Sequence, residues 1–151
     1  MAKSIFITGA SSGLGEAIAV EFARRGYSIA IAARRVERIQ ALAERLRNEG
    51  AAAVLPVALD VTDFASIDAA LERAAREFGR LDVVVANAGV GYSLPVGRGK
   101  FEQVRQTIDT NLTGAIATLE FALPRLRAQG GGQLVAITSV AGSRGMPFMG
   151  A

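Results

Sequence analysis

The sequence predicts an α/β protein: a parallel sheet wound in both directions from its first strand, with helices on both faces. Three observations predict it. Short apolar runs alternate with amphipathic stretches of helical period along the 151 residues, which is the rhythm of strand–helix units. The runs are apolar throughout, as in Ile29-Ala30-Ile31-Ala32-Ala33, the pattern of strands covered on both faces. A glycine-rich turn, Thr8-Gly9-Ala10-Ser11-Ser12-Gly13-Leu14-Gly15, joins the first run to the first amphipathic stretch. Glycines let a backbone approach a ligand, and the free N–H groups of a helix's first turn favour a phosphate.

Each element follows in order. Ile5-Phe6-Ile7 is the first strand. The turn opens the amphipathic stretch Glu16 to Arg25 and leads into a helix carrying Leu14, Ile18 and Phe22 on one face, which ends at Gly26, a C-cap residue. Ser28 to Ala33 is the second strand, and Val36 to Asn48 a helix with Ile39, Leu42, Ala43 and Leu46 inward. Ala53 to Leu59 is the third strand. Its Pro56 has no N–H for a ladder bond, which places this strand at an edge. Thr62 or Asp63 caps the next helix, which holds Ile67, Leu71 and Ala74 inward and stops at Gly79. Leu81 to Ala86 is the fourth strand. Asn87 to Gly99 is a loop containing Pro95. Phe101 to Arg127 is one long helix with Phe101, Val104, Ile108, Leu112, Ala115 and Leu119 on its stripe. Gly130-Gly131-Gly132 breaks it, Gln133 to Thr138 is the fifth strand, and a small, glycine-rich tail follows. Right-handed crossovers with the third strand at an edge give the order 3-2-1-4-5, a Rossmann fold. The ligand crevice is then expected at the C-terminal ends of strands one and four.

Composition bounds the function. Half the residues are hydrophobic and 21% charged, a globular balance that makes residues 1–151 one domain with a core. No apolar run has the length of a membrane span, and the early first strand leaves no room for a signal peptide. The chain has no Cys and no His. Disulfides, Cys/His zinc sites and histidine acid–base catalysis within it are excluded, and a cytoplasmic setting is expected. The net charge is +3, but most Lys and Arg are interleaved with Glu on helical stretches. That pattern describes solvated faces rather than a nucleic-acid surface.

The candidate site residues stand at strand ends. The turn's spacing, Gly-x-x-x-Gly-x-Gly, is neither Gly-x-Gly-x-x-Gly nor a P-loop. Arg34-Arg35 follow the second strand, where an acid would bind the 2′-hydroxyl of NAD and an arginine the 2′-phosphate of NADP. NADP is therefore expected over NAD; the alternative is two arginines opening a solvated helix. Asp60, followed by Val61, either accepts from an adenine amino group or caps the next helix with Thr62. Asn87-Ala88-Gly89 either let a cofactor lie on the backbone or form a plain turn. Asn111 falls on the apolar stripe of the long helix, where an amide needs partners. Ser139, at the end of the fifth strand, either bonds a substrate oxygen or caps.

Together these residues resemble the short-chain dehydrogenase/reductase family. The matching motifs are Thr8-Gly9-x-x-x-Gly13-x-Gly15, Asp60-Val61, Asn87-Ala88-Gly89, Asn111 and Thr138-Ser139-x-Ala141-Gly142. They come in the family's order and cover essentially all of the chain. By that likeness Gly9, Ser11, Ser12, Gly13, Leu14 and Gly15 hold the pyrophosphate and nearby ribose, and Arg34 and Arg35 the 2′-phosphate. Asp60 and Val61 contact adenine, Asn87, Ala88 and Gly89 line the cofactor's path, Ser139 orients a carbonyl or alcohol substrate, and Asn111 joins a proton relay. The resemblance implies an NADP-dependent oxidoreductase. It leaves oligomeric state open, although the long helix can pack in a dimer as in relatives.

One departure bears on mechanism. The family's acid–base Tyr, with Lys four residues later, is expected just past Ala151 when counted from Ser139. Tyr27 and Tyr92 have no Lys at that spacing. The sequence therefore reads as the N-terminal part of a longer enzyme, without the family's C-terminal strands. The alternative is a non-catalytic dinucleotide-binding module or an inactive truncated product.

Overall fold

The computed structural model describes residues 2–93 and 97–145; Pro95 of the glycine-rich loop and the end of the tail, 146–151, lie outside them. Strands β1 (Ser4–Thr8), β2 (Ser28–Ala33), β3 (Ala53–Ala58), β4 (Val83–Ala86) and β5 (Gln133–Ala136) form one parallel sheet. Its order is β3-β2-β1-β4-β5, as the crossover argument requires. Helices α1 (Gly13–Arg24), α2 (Val36–Asn48), α3 (Phe64–Phe78), α4 (Phe101–Ile108) and α5 (Gly114–Ala128) cover it. Pro56 sits on the edge strand, in register with Ile31.

Side chains alternate across the sheet. Ile5, Ile7, Ile29 and Ile31 face α1 and α2, packing on Ala19, Ile39, Leu42 and Leu46. Phe6, Ala30, Ala32 and Val84 face α3 and α5, packing on Ile67, Leu71, Ala122 and Leu126. Covering both faces is what makes the strand sequences apolar throughout. Asp63 caps α3 by accepting from the Ser66 N–H, and Gly79 ends it in the left-handed region. Arg45–Glu16, Arg76–Glu72 and Arg105–Glu102 pair across exposed helix faces. Among the described residues no helix is long and apolar enough to cross a membrane.

Two helix faces differ from the sequence expectation. In α1 the buried residues are Gly15, Ala19, Val20 and Ala23, while Leu14 is exposed. This helix begins at Gly13, in contact with the turn, and small residues let it lie close to the sheet. The long helix differs more. It is interrupted by a π-helical turn at Asp109–Thr113, and its buried residues are Thr107, Thr110, Gly114, Thr118, Ala122 and Leu126. The expected stripe of Phe101, Ile108 and Leu112 points outward. The physical reason is a close approach. A Cβ on Gly114 would lie 2.7 Å from Val61 Cγ2 and 2.9 Å from the Val61 carbonyl oxygen, so only a face of small residues can turn inward there. Strand limits also shorten: β3 ends at Ala58, and β4 and β5 span only Val83–Ala86 and Gln133–Ala136.

Candidate functional site

The sheet order reverses between β1 and β4, and their C-terminal ends are tied together there. Thr8 is buried. Its hydroxyl oxygen accepts from the Asn87 and Ala88 N–H groups at 3.0 Å each and donates to the Val85 carbonyl at 3.4 Å. The Asn87 amide in turn donates to the Thr8 and Gly9 carbonyls at 2.9 and 3.3 Å. Asn87 is thus more than a plain turn residue: it seals the floor between two strand ends. The sequence marks Thr8 as the first residue of the glycine-turn motif, but not that its side chain ties two strand ends together. Thr8→Val keeps the shape and leaves two N–H groups short of a partner. A loss of about 3 kcal/mol in urea unfolding is expected, within the usual cost of buried unpaired groups.

Above this floor runs the glycine turn. Gly9 has φ +68°, and a Cβ there would lie 2.6 Å from Ala88 Cα. Gly15 would bring a Cβ to 2.5 Å from Asn87 Nδ2. The turn and Asn87-Ala88 therefore touch backbone to backbone, which leaves the N-terminal end of α1 open to a ligand.

The end of β2 supplies cations. The Arg35 guanidinium donates to Ser11 Oγ at 3.1 and 2.8 Å and to Ser12 Oγ at 2.7 Å. It is thereby held across the turn rather than free in solvent. Among the described residues no carboxylate pairs with it, whereas Arg34 lies 3.7 Å from Asp60. Asp60 also accepts from the Thr62 N–H at 3.0 Å and the Thr62 hydroxyl at 2.9 Å. It therefore organises the start of the α3 region and still lines the crevice. Partial burial works against its ionised form, but the two Thr62 hydrogen bonds and Arg34 outweigh it, leaving the carboxyl below its ordinary value. A lowered folded-state value stabilises the fold above the unfolded one, about pH 4. That contribution is lost as pH falls through the lowered value. The stability gap between the parent and Asp60→Asn is expected to close on acidification in that window, as read by urea midpoints.

The opposite wall comes from the π turn and the end of β5. Asn111 does not face the core. Its side-chain oxygen accepts from the Val90 N–H, and its side-chain nitrogen donates to the Val90 carbonyl, both at 2.8 Å. The amide thus clamps the loop after β4, and its partners are met by backbone. Ser139 caps a 3₁₀ turn at Val140–Gly142, its oxygen accepting from the Ala141 N–H at 3.2 Å, and remains exposed at the crevice mouth.

These elements enclose a crevice of about 1040 Å³. It is lined by Gly9, Ser11, Ser12, Leu14, Arg34, Arg35, Asp60, Val61, Asn87, Ala88, Gly89, Asn111 and Ser139. Gly13 and Gly15 do not line it: Gly15 is buried against Gly9 and Asn87, and Gly13 is exposed with nothing near it. Val90, Thr110 and Ile137 line it too, and no sequence motif marks them. Among the described residues no cluster of acidic side chains could hold a metal.

The fold and this crevice define a doubly wound α/β protein with its cleft at the topological switch point, the place where such folds bind ligands. The short chain dehydrogenase family model matches residues 3–151, and the chain belongs to that family. It is 46% identical over 147 residues to an uncharacterized oxidoreductase of Myxococcus xanthus, covering 95% of this chain and 56% of that protein. It is 36% identical over 148 residues to an 11-beta-hydroxysteroid dehydrogenase-like protein of Arabidopsis thaliana, covering 97% and 49%. The chain thus spans about half the length of these curated relatives. An alcohol dehydrogenase from the archaeon Thermococcus sibiricus, solved in complex with 5-hydroxy-NADP, superposes with a TM-score of 0.92 at 38% identity, covering 99% of this chain and 63% of that one.

Proposed function

We propose that the chain is the dinucleotide-binding domain of an NADP-dependent oxidoreductase that interconverts a small-molecule carbonyl and alcohol in the cytoplasm. The observation that carries this reading is Arg35, a cation without a carboxylate partner among the described residues, held by Ser11 and Ser12 at the rim of the glycine turn. Its two serine contacts occupy one side of the guanidinium and leave donors for an anion. The Thermococcus sibiricus relative, solved with an NADP derivative, supports the same cofactor.

The residues fit the cofactor. A Cβ at Gly9 would fill the floor of the cradle, and the open first turn of α1 offers N–H groups to a pyrophosphate. Gly9, Ser11, Ser12, Gly13, Leu14 and Gly15 form that cradle. Arg35, with Arg34, takes the 2′-phosphate; Asp60 and Val61 meet the adenine; Asn87, Ala88 and Gly89 carry the path toward the nicotinamide. When bound, the nicotinamide supplies or accepts the hydride. Ser139 donates to the substrate oxygen as charge develops on it. Asn111, by fixing Val90, keeps the loop after β4 in position beside the reacting centre and takes part in the proton relay. Proton transfer itself falls to the family's Tyr–Lys pair, at positions beyond this chain.

Calorimetry of the chain with NADPH and NADH tests the binding half, with tighter binding of NADPH expected. NADPH oxidation against a panel of aldehydes and ketones, on the protein extended to its relatives' length with Tyr and Lys intact, tests the chemistry. No turnover on any carbonyl would leave a binding module. No binding of either nucleotide would end both readings.

A further inference from the structure

We propose that Tyr92 is a positioning residue for the reacting end of the crevice, its phenol fixing the wall that a carbonyl substrate meets; the proposal rests on the oxidoreductase reading above. Tyr92 stands in the loop after β4 and has no Lys four residues later, so the acid–base role is not its own. Its hydroxyl donates to Gln106 Oε1 on α4 at 2.6 Å. The same loop is bound to the long helix at a second point, where the Asn111 side chain holds both backbone groups of Val90. Gly89, Gly91 and Ser93 are exposed, whereas Val90 and Tyr92 are half-buried. The two residues that leave solvent are thus the two that the helix binds.

The wall between these points depends on them. Val90 and Gly91 line the crevice, as do Asn111 and Ser139. A Cβ on Gly91 would meet nothing within 4 Å, so no packing holds the backbone there, and a glycine is costly to order. Asn111 fixes one end of this short wall, and the Tyr92–Gln106 bond fixes the other. Held at both ends, the wall keeps one shape. Held at one end, it must be ordered each time a substrate binds. That cost is the same in the ground state and the transition state, so it raises KM and leaves kcat alone. The phosphate cradle lies at the other side of the β1–β4 floor and does not carry the cost.

The experiment compares Tyr92→Phe, Gln106→Leu and the double variant with the parent, in the protein extended to its relatives' length, using NADPH and a carbonyl that the parent reduces. Each single variant is expected to raise the carbonyl KM by about fivefold, the loss of one hydrogen bond. The kcat and the NADPH dissociation constant should stay within about twofold of the parent. The double variant should be no worse than either single one, because both remove the same bond. A second measurement needs no turnover: in the chain of 151 residues, the Val90 N–H of Tyr92→Phe should exchange its hydrogen about fivefold faster. An unchanged exchange rate overturns the proposal, as does a parental KM with a lowered melting temperature, which would make the bond merely structural. Equal losses for NADPH and carbonyl also overturn it, by marking a general disturbance of the crevice. So do single effects that add in the double variant, since no bond would then be shared. If the parent binds no NADPH and reduces no carbonyl while the exchange rate changes as expected, the oxidoreductase reading itself fails and the proposal goes with it.

Discussion

Arg35→Gln is expected to raise the dissociation constant for NADPH by about 10- to 100-fold, with that for NADH within about twofold of the parent. The magnitude is that of losing charge-assisted hydrogen bonds to a phosphate, about 1.5–3 kcal/mol. Glutamine keeps an amide donor near Ser11 and Ser12 but removes the positive charge and the planar fork. Since NADH has no 2′-phosphate, it has nothing to lose at this position. Arg34→Asp should move the ratio in the same direction but by less, because Arg34 is already opposed by Asp60 at 3.7 Å. Competitive displacement of NADPH by 2′,5′-ADP and 5′-AMP separates the phosphate effect from the rest of the cofactor. An equal loss for both nucleotides in Arg35→Gln would mean that Arg35 only braces the turn through its two serines.

Gly15→Ala is expected to lower stability by about 3 kcal/mol, the upper range for overpacking. The added Cβ would lie 2.5 Å from Asn87 Nδ2, 2.7 Å from the Gly9 carbonyl oxygen and 3.0 Å from Ala10 Cα. Two of these three neighbours are backbone. The third is an amide already bonded to Thr8 and Gly9, so none can step aside cheaply. At about 2–4 °C per kcal/mol for a chain of this size, the melting temperature should fall by roughly 6–12 °C. Gly13 provides the control. Its φ is +62°, but a Cβ there meets nothing within 4 Å, so Gly13→Ala bears only the backbone strain of about 1–2 kcal/mol. Equal melting points for the two variants would show that Asn87 moves freely, contrary to its hydrogen bonds.

The sheet was legible because its signals are local and redundant. Apolar runs with no polar alternation require cover on both faces, and the two core layers supply it. Pro56 lacks the N–H that a central strand uses, and its strand is at the edge. The crevice was legible for the same reason: in a doubly wound sheet the strand ends must converge where the order reverses, so residues at those ends meet. Gly9, Arg34, Asp60, Asn87 and Ser139 come from five separate connections and line one cleft.

The long helix was not legible in that way. Phe101, Ile108 and Leu112 of the expected stripe mark a hydrophobic face, yet they are exposed. The buried face is set by how near the helix must come to Val61, which admits Gly114 and excludes anything larger. A π turn then shifts the phase of the helix at Asp109–Thr113, and no local propensity announces it. That shift brings Asn111 to Val90 and leaves the Thr110 hydroxyl without a helical partner.

By itself, then, the sequence determined the layers, the strand order, the glycine turn between the first strand and helix and the position of the crevice, because hydrophobic period, proline and glycine act within a few residues of themselves. Only the tertiary structure decided which helix face is buried, that Arg34 lies beside the Asp60 carboxylate while Arg35 is held by two serines, that Thr8 ties two strand ends, and that a π turn interrupts the long helix. Each of these depends on distances between segments far apart in the chain, which no local pattern encodes.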